Sequence, residues 1–174
     1  NPCVWRLVSQ SAVAGAKYYR SVYLCLGCPK GADCTADVSF EIGHACVLNE
    51  GKDVTLMATG HMVWEALQAA EALEAEGICA EVINVATIKP LDTKTVIASA
   101  IKTGAVVVAE EHNMAGGLGE LIAGVLAATS PKPIEYVNGR DEFGQSGTPS
   151  ELLAAYGMDA AHIVEAARKV LERK

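Results

Sequence analysis

The chain has 174 residues, 51% of them apolar and only 5% aromatic, with a net charge of −7. That length and apolar share suffice for one domain with a buried core plus an appendage. The acidic balance argues against nucleic acid and anionic membrane as partners, and the longest apolar run, Leu121 to Ala128, is shorter than the roughly 18 residues a spanning helix needs.

The opening stretch, NPCVWRLVSQSAVAGAK, has no basic n-region, and Arg6, Ser9, Gln10 and Ser11 interrupt any apolar segment. It does not read as a signal peptide, so a cytoplasmic location is expected and the six cysteines read as thiols. Residues 9–19 suggest a helix, 21–27 a strand, and 29–37 a linker. Glu41 to Asn49 reads as an edge strand, made antiparallel to the next by the Asn-Glu-Gly turn at 49–51.

From Val54 the pattern is regular. Val54 to Gly60 is a β-rich run, followed by helical spacing. Met62, Val63, Ala66, Leu67, Ala70 and Leu73 form the apolar stripe, and Glu65, Gln68, Glu71 and Glu74 are expected to point away from it. Gly77 suits a left-handed C-terminal cap. Strands are expected at 78–85, 105–111 and 133–138, and helices at 92–104, capped by Asp92, and 116–128. Thr148-Pro-Ser-Glu151 carries the signature of a capped helix start, and Asp159 caps a last amphipathic helix. This order predicts a three-layer α/β fold, a mostly parallel open sheet with one antiparallel edge strand.

Three features invite a chemical reading. Cys25, Cys28 and Cys34 have knuckle-like spacing, but no second Cys-x2-Cys completes a zinc set. The alternative is three unpaired thiols. The glycines at 116, 117 and 119 open a helix after a strand, as phosphate cradles do. Glu110 and Glu111 stand close to where the anion would lie, and like charge opposes it. The alternative is that the glycines permit close backbone approach, including across a subunit contact. Finally, His61, Glu111 and His112 fall at the carboxyl end of the sheet, where open α/β folds keep ligand crevices. They are either an acid–base set or loop groups satisfied locally.

Four stretches in order resemble one family: Phe40 to Gly60, Ile88 to Asp92, Glu110 to Glu120, and Phe143 to Met158. They are similar to the C-terminal domain of transketolases, especially the separate C-terminal subunit of split, two-chain transketolases. The same domain occurs in 1-deoxy-D-xylulose-5-phosphate synthase and in the beta subunits of 2-oxo acid dehydrogenases. A stand-alone small-molecule-binding regulatory module is a further alternative. The resemblance implies that residues 40–174 form the C-terminal domain and residues 1–39 a remnant of the preceding pyrimidine-binding domain plus linker. It implies two-carbon ketol transfer between sugar phosphates, as in the pentose phosphate pathway, by the whole enzyme with thiamine diphosphate and Mg. None of the cofactor-binding or catalytic residues can be assigned to this chain, so no cofactor is expected on it alone and it should be inactive alone. A homodimer and an N-terminal thiamine-diphosphate-binding subunit or domain are the implied partners. Cys25 and Cys28 stand where the family pattern has arginines, and the resemblance implies that position 28 belongs to sugar-phosphate binding. A guanidinium grips phosphate by two hydrogen bonds, and a thiol cannot.

Overall fold

The computed structural model describes residues 5–26 and 40–174. A helix, α1 (Trp5–Lys17), is followed by five strands and five helices: β1 (Cys46–Asn49), β2 (Val54–Ala58), α2 (Met62–Ala75), β3 (Ala80–Asn84), α3 (Thr93–Thr103), β4 (Val106–Asn113), α4 (Leu118–Thr129), β5 (Ile134–Gly139), α5 (Pro149–Ala155) and α6 (Ala160–Leu171). The sheet order is β1-β3-β2-β4-β5. β2 pairs in parallel with both β3 and β4, and β4 with β5. β1 alone runs antiparallel.

Every residue of β2 and β3 is buried, which is why both read as near-continuous apolar runs. Alternation along the strands divides the core. Leu56, Val82 and Val107 pack with Met62, Ala66, Leu73, Ile163 and Val170 of α2 and α6 on one face. Met57, Ile83, Val106 and Val108 pack with Val96, Ala100, Ile122 and Leu126 of α3 and α4 on the other. The fold is therefore the expected three-layer α/β sandwich.

The caps follow the sequence. Gly77 adopts φ 82° after α2, the Asp159 carboxylate accepts from the His162 N–H at 3.0 Å, and the Thr148 N–H donates to Glu151 at 3.0 Å. Asp92 does more than cap α3. Its carboxylate accepts from the Thr95 N–H at 3.1 Å and from the Ala45 N–H at 3.0 Å, tying the entry of β1 to α3. Partial burial alone would raise its pKa, but these hydrogen bonds outweigh it and hold the carboxyl below its ordinary value. A depressed folded pKa contributes stability above the unfolded value, which is lost as pH falls through the folded one. Asp92→Ala is thus expected to cost about 1–2 kcal/mol in urea unfolding at neutral pH. The gap to the wild type should narrow below about pH 4.

Three expectations need correction. β1 is antiparallel but does not form a hairpin with β2, because β3 lies between them. The 49–53 turn crosses the start of β3: the Lys52 and Asp53 N–H groups both donate to Cys79 O at 3.0 Å, and Asn49 Nδ2 donates to Ala80 O at 2.8 Å. Gly51 rests on the β3 backbone so closely that a Cβ would stand 2.2 Å from Ala80 C. Residues 21–26 lie in no strand, since among the described residues none supplies a sheet neighbour there. Glu65 does not point away from the core, because its carboxylate turns back to accept from the Ala160 N–H at 2.9 Å, capping α6.

Candidate functional site

The carboxyl end of the parallel strands gathers the residues singled out from sequence. His61 occupies the N-cap of α2 just after β2, without a side-chain cap bond, and its Nε2 lies 3.7 Å from Glu65 Oε1. His112 is exposed near the end of β4, with Nδ1 2.8 Å from Asn113 O. A carbonyl only accepts, so Nδ1 carries the proton of that bond. Glu111 is exposed beside it. Among the described residues no hydrogen bond or ion pair joins His61, Glu111 and His112 to one another. Cys28, Cys34 and the 29–37 linker lie outside the described residues. Cys25 and Cys79 are exposed free thiols, and burial pushes the Cys46 thiol up.

The glycine-rich turn has a definite occupant. Glu110 is only 2% exposed, and its carboxylate accepts from the Leu118 N–H at 2.6 Å and the Gly119 N–H at 2.9 Å. Asn138 Nδ2 stands at 3.5 Å. These are the free N–H groups at the start of α4, where the helix dipole favours an anion. The chain supplies that anion itself. Glu120 takes another donor of the turn, Gly116 N–H, at 2.7 Å. A Cβ on Gly117 would meet Glu110 Oε2 at 2.5 Å, so glycine there makes room for the carboxylate. The turn does not fit a phosphate or diphosphate, because its donors are already taken. Among the described residues no group of three or more His, Cys, Asp or Glu side chains is placed to hold a metal ion. Period-two alternation carried a signal for its side: Val106, Val108 and Glu110 share a parity, and Val106 and Val108 lie on the face covered by α3 and α4.

Other polar atoms at this end find no hydrogen-bond partner among the described residues. Thr59 Oγ1, after β2, Thr87 Oγ1, after β3, and Asn113 Oδ1, at the end of β4, are buried without a hydrogen-bond partner. Nearby, α1 seats Leu7 in a depression with Phe40, His44, Cys46, Asn84 and Ala86, and its Gln10 Oε1 accepts from the Phe40 N–H at 2.8 Å. The depression offers a cavity of only about 20 Å³, far below the roughly 300–1,000 Å³ of small-molecule sites. Residues 18–26, beyond α1, are exposed, Tyr19 and Tyr23 fully and Leu26 by about half.

Residues 43–163 match the family described as transketolase, C-terminal domain. The chain belongs to the transketolase C-terminal domain family. Within that family it is 50% identical over 135 residues to the 6-deoxy-6-sulfo-D-fructose transketolase subunit SqwH of Clostridium sp. (strain MSTE9), covering 78% of this chain and 42% of that protein. It is 31% identical over 174 residues to an apulose-4-phosphate transketolase subunit of Phocaeicola vulgatus, covering 99% of this chain and 55% of the relative. Among solved structures it is similar to a split gene transketolase described as an inactive beta4 tetramer, at a TM-score of 0.95 and 42% identity, over 98% of this chain and 56% of that one. The chain therefore spans about half the length of these relatives. No described helix is long and apolar enough to cross a membrane.

Proposed function

We propose that this chain is the C-terminal section of a two-chain transketolase, acting in the cytoplasm with a separate N-terminal subunit that carries thiamine diphosphate and Mg. The whole assembly moves a two-carbon ketol unit between sugar phosphates. This section supports the neighbouring domain and contributes subunit contacts. The observation that carries the reading is the fit to the split transketolase over nearly the whole chain, α1 included. Residues 1–39 then belong to the preceding pyrimidine-binding domain, and residues 40–174 form the C-terminal domain.

Two features support a partner. The segment after α1 presents Tyr19 and Tyr23 to solvent, large aromatic groups of the kind that anchor interfaces. The hydroxyls of Thr59 and Thr87, after β2 and β3, are buried without a hydrogen-bond partner among the described residues, and a buried polar atom normally finds a partner. The glycine-rich helix start after β4, filled by Glu110, offers no seat for the diphosphate of the cofactor. The partner would hold thiamine diphosphate, which would supply the electron sink for two-carbon transfer.

Reconstitution tests this directly. Two-carbon transfer from a ketose phosphate to an aldose phosphate is measured for the chain alone and with its N-terminal thiamine-diphosphate-binding partner, with thiamine diphosphate and Mg added. Activity is expected only for the pair. Transfer by the isolated chain would overturn the reading, and formation of a deoxyxylulose phosphate from added pyruvate and a triose phosphate, with release of carbon dioxide, would move the chain to the synthase branch.

A further inference from the structure

α1 turns one face to the domain. Leu7, Gln10, Ser11 and Ala14 recur at i, i+3, i+4 and i+7, the spacing that lines four side chains along one side of a helix. Leu7 and Ser11 are each 1% exposed, whereas Val13, off that face, is 55% exposed. The Ser11 hydroxyl donates to Val8 O at 2.8 Å within the helix, so its burial leaves no orphan donor. The floor under Leu7 belongs to the sheet. Cys46 and Asn84 face one another across the β1–β3 ladder, and Phe40, His44 and Ala86 complete the seat. So little empty space remains beside Leu7 that the chain itself fills it. Gln10 adds a second fastening, its Oε1 accepting from the Phe40 N–H at 2.8 Å.

A helix of 13 residues is marginal by itself in water, and Gly15 inside it weakens it further. Its first turn carries no acidic side chain to complement the helix dipole. α1 therefore persists because it is fastened, and undocking it melts it. Its far end is fixed as well. The Tyr18 N–H donates to Gly15 O at 3.1 Å, and a Cβ on Gly15 would stand 3.3 Å from Val22 Cγ1, so the chain turns back onto the helix end. Tyr19 and Tyr23 thus leave from a place that α1 sets.

We infer that α1 is a strap by which the C-terminal domain holds the preceding domain, with Leu7 and Gln10 as its positioning residues. The inference rests on the proposed function for what lies on the far side of the strap, but the fastening itself is tested on the chain alone. Hydrogen exchange by mass spectrometry is followed over residues 7–17 in the wild type, Leu7→Ala, Leu7→Met and, as control, Val13→Ala. Alanine is the better helix former, so faster exchange in Leu7→Ala reports the lost seat rather than lost propensity. The acceleration is expected on the order of 100-fold, the usual effect of truncating a seated leucine, with the amides of β2 and β3 unchanged. Methionine refills the seat, so Leu7→Met should exchange as the wild type does, and so should Val13→Ala. Only a docked α1 holds Tyr19 and Tyr23 in place, so affinity for the N-terminal thiamine-diphosphate-binding subunit falls with the docked fraction. In titration Leu7→Ala should bind that subunit about tenfold more weakly, and Leu7→Met should restore the wild-type affinity. Wild-type α1 amides that exchange at coil rates, or a Leu7→Ala protected as fully as the wild type, would overturn the inference. So would a melted α1 with unchanged affinity for the subunit. A pair that binds as described but transfers no two-carbon unit refutes the proposed function while supporting the strap.

Discussion

Glu110→Ala is expected to lower stability by about 3–5 kcal/mol, because each charge-assisted hydrogen bond contributes roughly 1.5–3 kcal/mol and its donor stays buried when the acceptor is removed. Two α4 N–H groups, those of Leu118 and Gly119, lose their acceptor, and the Asn138 amide loses its nearby carboxylate. For a domain of this size the midpoint of thermal unfolding should fall by about 10 °C. The emptied seat would then be a bare helix N-terminus with glycine backbone around it, the kind of place that binds small oxyanions. Phosphate at tens of millimolar should therefore recover part of the lost stability in Glu110→Ala, by mass action on the folded state, and do nothing comparable for the wild type. Gly117→Ala should also destabilise, since its Cβ would meet the carboxylate at 2.5 Å, but phosphate should not rescue it because the seat is crowded rather than vacated. Calorimetric scans of the three proteins with and without phosphate decide the matter. Equal phosphate effects on wild type and Glu110→Ala would mean that the carboxylate does not hold the anion's place.

That seat also marks how far the sequence could be read. The alternation of short apolar runs with helical stripes placed β2 through α4 well, because strands buried on both faces and helices buried on one leave different periods. Caps at Asp92, Thr148 and Asp159 were equally plain, since each depends on residues within one turn. What escaped depends on distant partners. Glu110 read as a charge that would repel a phosphate, whereas it occupies the anion's position through donors eight and nine residues later. Glu65 read as a solvent-facing helix residue, yet it caps a helix 95 residues further on. The order β1-β3-β2 hangs on Gly51 lying against the backbone of Ala80 and Glu81, a contact no local pattern announces. At the carboxyl end, the positions of His61, Glu111 and His112 followed from their places at strand ends. Their local partners, Glu65 and the Asn113 carbonyl, did not.

The largest functional effect is expected at position 28. In the proposed assembly this residue stands where the family pattern has an arginine that helps hold the sugar phosphate, and this chain has Cys28. A guanidinium offers a planar pair of donors matched to a phosphate, with a charge that does not titrate away. Cys28→Arg in the reconstituted pair should lower KM for a ketose phosphate by about 10–100-fold, the equivalent of one charged hydrogen-bonded pair. Cys28→Lys should recover less, because an ammonium is a point charge without the fork. The same variants assayed with an unphosphorylated ketose should keep the wild-type KM, since the gain comes from the phosphate alone. Cys25→Arg, at the other position where the pattern has arginine, serves as the control for added charge. If Cys28→Arg improves phosphorylated and unphosphorylated substrates equally, or neither, position 28 does not face the phosphate. A wild type that already saturates at low ketose phosphate would instead mean that another group of the assembly has taken over the grip.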